Sequence, residues 1–319
     1  MKGITLKPQS GSDTSYFKFV SDFSLLTNTP PRNIHDAFSA MGTTDFFLKQ
    51  SILPVIACVD GEPLVRCIGT AFVISCTGYL MTACHVIVDP KERGYGKVTR
   101  AANGKMLMQG LQMGVLIPIS PAYGLAGFRF FPFEESWYWG ELEQSPLLYE
   151  DEKLNILTDV ALCKIAEMPH GAAHQPLNLS LYPFAKGEEA YAIGYAEMDD
   201  VPLEIINNAP VPRPFPQQEL YVSVGDIMET FPENHITRAV STPGPCFDFK
   251  ARIPGKMSGG PIFGAQGAVV RGVVSRSFSG EQHAYGAMLG PTMHMPLIGT
   301  KTLKEMMDTE GMAKIQGRL

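Results

Sequence analysis

The run Gly255-Lys256-Met257-Ser258-Gly259-Gly260-Pro261 constrains the fold of this chain more than any other stretch. Glycines flank the serine closely, and glycine adopts dihedrals that other residues resist, so the run places a hydroxyl at a sharp turn. The missing side chains also leave room for another backbone to lie against the turn. A serine by itself is a weak nucleophile near neutral pH and needs a base within hydrogen-bond reach. A working site would also need a third group to orient that base.

Both are present. Gly69-Thr70-Ala71-Phe72-Val73-Ile74 and Tyr79-Leu80-Met81-Thr82 are β-rich runs separated by a turn ending at Gly78, which predicts a hairpin. Ala83-Cys84-His85 comes next, so His85 emerges where the second run ends. Further on, Leu157-Thr158-Asp159-Val160-Ala161-Leu162-Cys163 sets an acid at the head of an apolar, strand-like segment. In these three motifs, and in their order, the chain resembles the trypsin-like (chymotrypsin-fold) serine peptidases, in particular an intracellular-looking bacterial branch. The order His85, Asp159, Ser258 is not that of the α/β-hydrolases, and Lys256 breaks their G-x-S-x-G elbow; a subtilisin-type chain would put the acid first.

The resemblance implies an all-β protein of two six-stranded antiparallel barrels with a short C-terminal helix. It implies Ser258 as nucleophile, His85 as general base and Asp159 as the group that fixes the imidazole tautomer. It further implies an oxyanion hole from the backbone N–H groups of Lys256 and Ser258, and a substrate-pairing wall from Ser275, Arg276 and Ser277. The expected partner is a protein or peptide substrate; no cofactor and no metal are expected. Two other readings use the same motifs: a protease-fold binding or regulatory module, and an esterase.

Two residues depart from the digestive members of the family. Met257 stands where those enzymes carry the aspartate that pairs with a freshly cut N-terminus, and methionine can only pack. Ser51-Ile52-Leu53-Pro54-Val55 likewise lacks an Ile-Val-Gly-Gly segment, so activity is expected without such cleavage. Lys256 replaces the usual glycine, and a Cβ resists positive φ by roughly 1–2 kcal/mol. The expectation is that lysine tolerates the required dihedrals and points to solvent.

A formal charge of −6 without a dense basic run argues against nucleic acid as a partner. No apolar stretch is long enough to span a membrane, and residues 1–15 lack the apolar core of a secretory signal. The six cysteines match no secreted disulfide framework and no paired zinc pattern, so free, buried thiols and a cytoplasmic location are expected. His170 and His174 are four apart but flanked by proline and glycine, which argues against a zinc site there.

Along the chain, residues 1–48 are expected to form an N-terminal extension with a loop at Thr27–Asn33 and a short helix from Asp36. Residues 49–168 would form the first barrel, including an aromatic-rich insertion with Phe128, Phe130, Phe131, Phe133, Trp137, Tyr138 and Trp139. Its alternation suggests strand, and its aromatics are expected to pack as a hydrophobic strap closing the barrel, with a lid or substrate-facing wall above the cleft as the other reading. Residues 169–298 would form the second barrel, with a proline-rich loop at 210–216, and residues 299–319 a C-terminal helix. Nothing in the sequence sets the oligomeric state.

Overall fold

The computed structural model describes residues 5–10, 13–20, 48, 50–92, 97–100, 106–119, 127–143, 153–169, 174–196, 198, 200–206, 209–212, 220–232, 235–236, 241–264, 269–277, 283–297, 301–309 and 311–317. The expected loop at 27–33, the helix from Asp36, His170 and residues 213–216 lie outside the described residues.

The first barrel is built from β1 (Ile52–Val59), β2 (Leu64–Val73), β3 (Tyr79–Thr82), β4 (Leu111–Ile119), β5 (Gly127–Glu143) and β6 (Lys153–Ile165). Hydrogen bonding runs β2-β1-β4-β5-β6-β3 and returns from β3 to β2, so the six strands close into an antiparallel ring. Closure removes the exposed edges that an open sheet would leave. The interior is filled by β-branched, aliphatic and aromatic side chains, among them Val55, Phe72, Leu80, Val115 and Leu162, all fully buried.

The second barrel comprises β7 (Glu189–Tyr195), β8 (Leu220–Phe231), β9 (Cys246–Lys250), β10 (Pro261–Gly264), β11 (Val270–Ser277) and β12 (Ala284–Met288). Its ring runs β8-β7-β10-β11-β12-β9 and back to β8, again antiparallel throughout. Ile193, Val222 and Phe263 join the first barrel's side chains in one buried cluster, so the two rings share part of their core.

The aromatic-rich stretch is itself a barrel strand, β5. Phe131, Phe133, Trp137 and Trp139 pack half-buried against the shared core, and the Trp137 ring lies 6.2 Å from that of Tyr79. Three segments cross the expected domain boundaries. Strands 5–10 and 13–20 form a hairpin that extends β8 of the second barrel, with Lys18 opposite Tyr221. Strand 201–206 leaves the second barrel and pairs with β2 of the first, Val201 opposite Val65. Part of the expected proline-rich loop is strand too, since residues 209–212 pair back on 203–206. The C-terminal region is more than a helix: Ile315–Gln316 runs parallel to Leu179–Ser180.

Among the described residues, two helices bear on the site and on the C-terminal region. α1 (Cys84–Glu92) begins two residues after β3. α2 (Leu303–Met307) is short and held by a capping box, with Thr302 N–H donating to Glu305 Oε2 at 2.7 Å. No helix among the described residues is long and apolar enough to cross a membrane.

Candidate active site

The β2–β3 hairpin delivers His85 into the first turn of α1, where it is buried. Asp159 reaches it from β6, at an irregular point in the ladder. Pairing with β5 jumps from Ile156 opposite Gly140 to Ala161 opposite Tyr138, so residues 157–160 bulge out of register. Such a bulge re-aims a side chain that regular pleating would direct elsewhere. Asp159 uses both oxygens on His85: Oδ1 accepts from the His85 backbone N–H at 3.0 Å, and Oδ2 lies 2.8 Å from Nδ1. The backbone contact fixes the residue and the ring contact fixes its orientation.

Burial alone would raise the Asp159 carboxyl, but the His85 charge, the ring hydrogen bond, the Ser275 hydroxyl and the His85 N–H together hold it below the ordinary carboxylate value. Ser275, on β11, donates its hydroxyl to Asp159 Oδ2, while its carbonyl accepts from Ser258 Oγ at 3.1 Å. One residue thus touches both the acid and the alcohol, a role its place in the sequence did not suggest. The Ser258 hydroxyl is turned toward Ser275 rather than toward the His85 ring.

The turn carrying Ser258 is pinned on both sides. Gly259 N–H donates to Val274 O and Val274 N–H to Gly260 O, each at 2.8 Å. Gly259 has φ +86°, and a Cβ there would lie 2.1 Å from Thr70 O, so no side chain fits. Lys256 adopts φ +77°, the one positive φ of a non-glycine among the described residues. The lysine therefore tolerates the left-handed conformation, as expected. It does not point to solvent, however: its Nζ donates to Met198 O. The N–H groups of Lys256 and Ser258 make no hydrogen bond among the described residues.

Met257 is fully buried among Phe249, Ile253 and Ile262, and its sulfur lies 3.8 Å from Ser223 Oγ. Arg276 reaches across to α1, where Nη2 lies 3.4 Å from Asp89 Oδ1. Ser277 is half-buried at the end of β11 and pairs with Ala284. Behind His85, burial pushes the Cys84 thiol well up, helped by the nearby charges of Asp159 and Asp89, and burial raises Cys163 to about 12. All six cysteines are free, and Cys76 alone is exposed. His174 is buried with Nδ1 2.8 Å from Gln50 O.

Among solved structures, Deg5 is similar at 14% identity with a TM-score of 0.45, covering 81% of this chain and 90% of its own. The active form of the Rv3671c protease from M. tuberculosis is similar at 16% identity and a TM-score of 0.45, covering 84% and 90%. The MamO protease domain from Magnetospirillum magneticum reaches 13% identity and 0.41, covering 76% and 94%. No curated protein matches the chain significantly. The trypsin-like peptidase domain matches residues 69–270, well over half of the 319 residues and the span that holds His85, Asp159 and Ser258. The chain belongs to the trypsin-like peptidase domain family.

Proposed function

We propose that the chain is a serine endopeptidase that hydrolyses peptide bonds through an acyl-enzyme. The observation that supports this reading is the double contact of Ser275, whose hydroxyl donates to the buried, His85-bound Asp159 and whose carbonyl accepts from Ser258 Oγ.

With Nδ1 committed to Asp159, the imidazole has Nε2 left for Ser258. In this reading Ser258 Oγ leaves the Ser275 carbonyl by a change of rotamer and turns its hydroxyl to that nitrogen. As Oγ bonds to the scissile carbonyl carbon, its proton passes to His85, and Asp159 stabilises the imidazolium. The carbonyl oxygen becomes an oxyanion, for which the N–H groups of Lys256 and Ser258 are the donors at hand; losing one such donor costs about 3 kcal/mol of barrier. The tetrahedral adduct collapses, His85 protonates the leaving amine, and water repeats the sequence to release the acid. Met257, packed in the second barrel, leaves no acid to receive a new N-terminus, and Ile52 is a barrel residue opposite Phe72, so we infer activity without N-terminal processing. The six unbridged thiols support a cytoplasmic site of action, which fractionation of the native source would check.

A fluorophosphonate probe tests the reading. It should label Ser258, and Ser258→Ala should abolish labelling and lower kcat on the order of a million-fold. An unlabelled Ser258 would leave a binding module as the reading. Labelling with cleavage of esters but of no peptide in a broad library would point to an esterase.

A further inference from the structure

The ladder between β2 and β3 ends at Ala71 opposite Thr82. One residue beyond, fully buried Thr70 turns its backbone and side chain to the other barrel. Its N–H donates to Ser258 O at 2.8 Å. Its Oγ1 donates to Lys256 O at 3.0 Å and accepts from Tyr195 N–H at 2.9 Å. Its own carbonyl accepts from Thr82 Oγ1 at 2.7 Å, which holds Thr70 in place from its own barrel. The fit has no slack: a Cβ on Gly194 would approach Thr70 Oγ1 to 3.0 Å and the Met257 Cα to 3.2 Å.

These bonds fix the carbonyls of Lys256 and Ser258, whose own N–H groups make no hydrogen bond among the described residues. With the Lys256 carbonyl held, the sign of its φ decides where its N–H points. A residue with a Cβ disfavours the left-handed conformation, so an outside hold is needed to keep Lys256 there. Thr70 grips its carbonyl and Met198 O grips its ammonium. Resting on the serine-peptidase reading, we propose that Thr70 is a positioning residue: from the first barrel, its hydroxyl holds the left-handed Lys256 peptide of the second, and thereby aims the oxyanion donors.

The test compares Thr70→Val, which keeps the shape and loses the hydroxyl, with Thr70→Ser, which keeps the hydroxyl. Thr70→Val should lower kcat on the order of 100-fold with KM nearly unchanged, as expected when a group acting only in the transition state is misplaced. Thr70→Ser should restore turnover. Adding Lys256→Gly to Thr70→Val should recover part of the loss, because glycine adopts the left-handed conformation without help. Amide exchange across 252–260 should be faster in Thr70→Val and unchanged in Thr70→Ser. Turnover and exchange of Thr70→Val equal to those of the unaltered chain would overturn the proposal. So would a loss in Thr70→Ser as large as the valine's, since packing rather than the hydroxyl would then be the cause. Probe labelling of the unaltered chain reads the peptidase assignment separately: if Ser258 stays unlabelled that assignment falls, and the exchange comparison still decides whether Thr70 holds the turn.

Discussion

Asp159 is buried, yet its two oxygens receive three donors: the His85 N–H, the His85 ring and the Ser275 hydroxyl. Replacing it by asparagine keeps the shape but offers the ring an N–H where it needs an acceptor. Asp159→Asn should lower kcat about 10⁴-fold, read as single-turnover acylation. The depressed carboxyl also ties stability to pH. Its stabilising contribution is complete above the ordinary carboxyl value, about 3.9, and is lost as pH falls through the lower folded value. The Tm gap between the unaltered chain and Asp159→Asn should therefore narrow between neutral pH and about pH 2; a constant gap would contradict the assignment. At this scale the motifs that resemble the trypsin-like peptidases pointed to His85, Asp159 and Ser258 as candidates, and to Lys256 at a position where that family carries glycine. It could not show Thr70 or the Ser275 hydroxyl at work. Both act through contacts between segments far apart in the chain, and a threonine or serine in a strand looks the same whether or not its hydroxyl has a distant partner.

Among elements, β5 and β6 carry the most consequence. β6 reads as a plain apolar strand, and its alternation gave no sign of the slip that aims Asp159 at α1. β5 announces itself by its aromatics, and the packing reading of that stretch agrees with its place in the barrel wall. Trp137→Ala should destabilise the chain by roughly 2–3 kcal/mol, less than the 3–5 typical of fully buried aromatics, because the indole is half-buried. Chemical denaturation measures this, and the folded fraction should keep its turnover since the ring packs on Tyr79 rather than at Ser258.

For the molecule as a whole, the double barrel was legible through the resemblance carried by the three motifs around His85, Asp159 and Ser258, whereas the segments that swap sides were not. Strand 201–206 and the hairpin at 5–20 pair far from their sequence neighbours, and ladder partners at such separation leave no local pattern. Deleting residues 1–20 should uncover the edge of β8 at Tyr221–Ser223 and promote self-association, visible by light scattering. The thiols give a second global probe. A disulfide reagent should modify Cys76 rapidly in the native protein and all six cysteines after denaturation, since the other five are buried.

The pairing of Lys18 with Tyr221 also bears on how the chain is made. Synthesis delivers residues 13–20 long before β8 exists, so this hairpin has to wait, unpaired, while one whole ring and the start of the next are translated. Contacts so distant along the polymer form slowly. A ribosome-bound intermediate ending before residue 220 should therefore carry an adhesive stretch at residues 13–20, a natural target for a holdase chaperone.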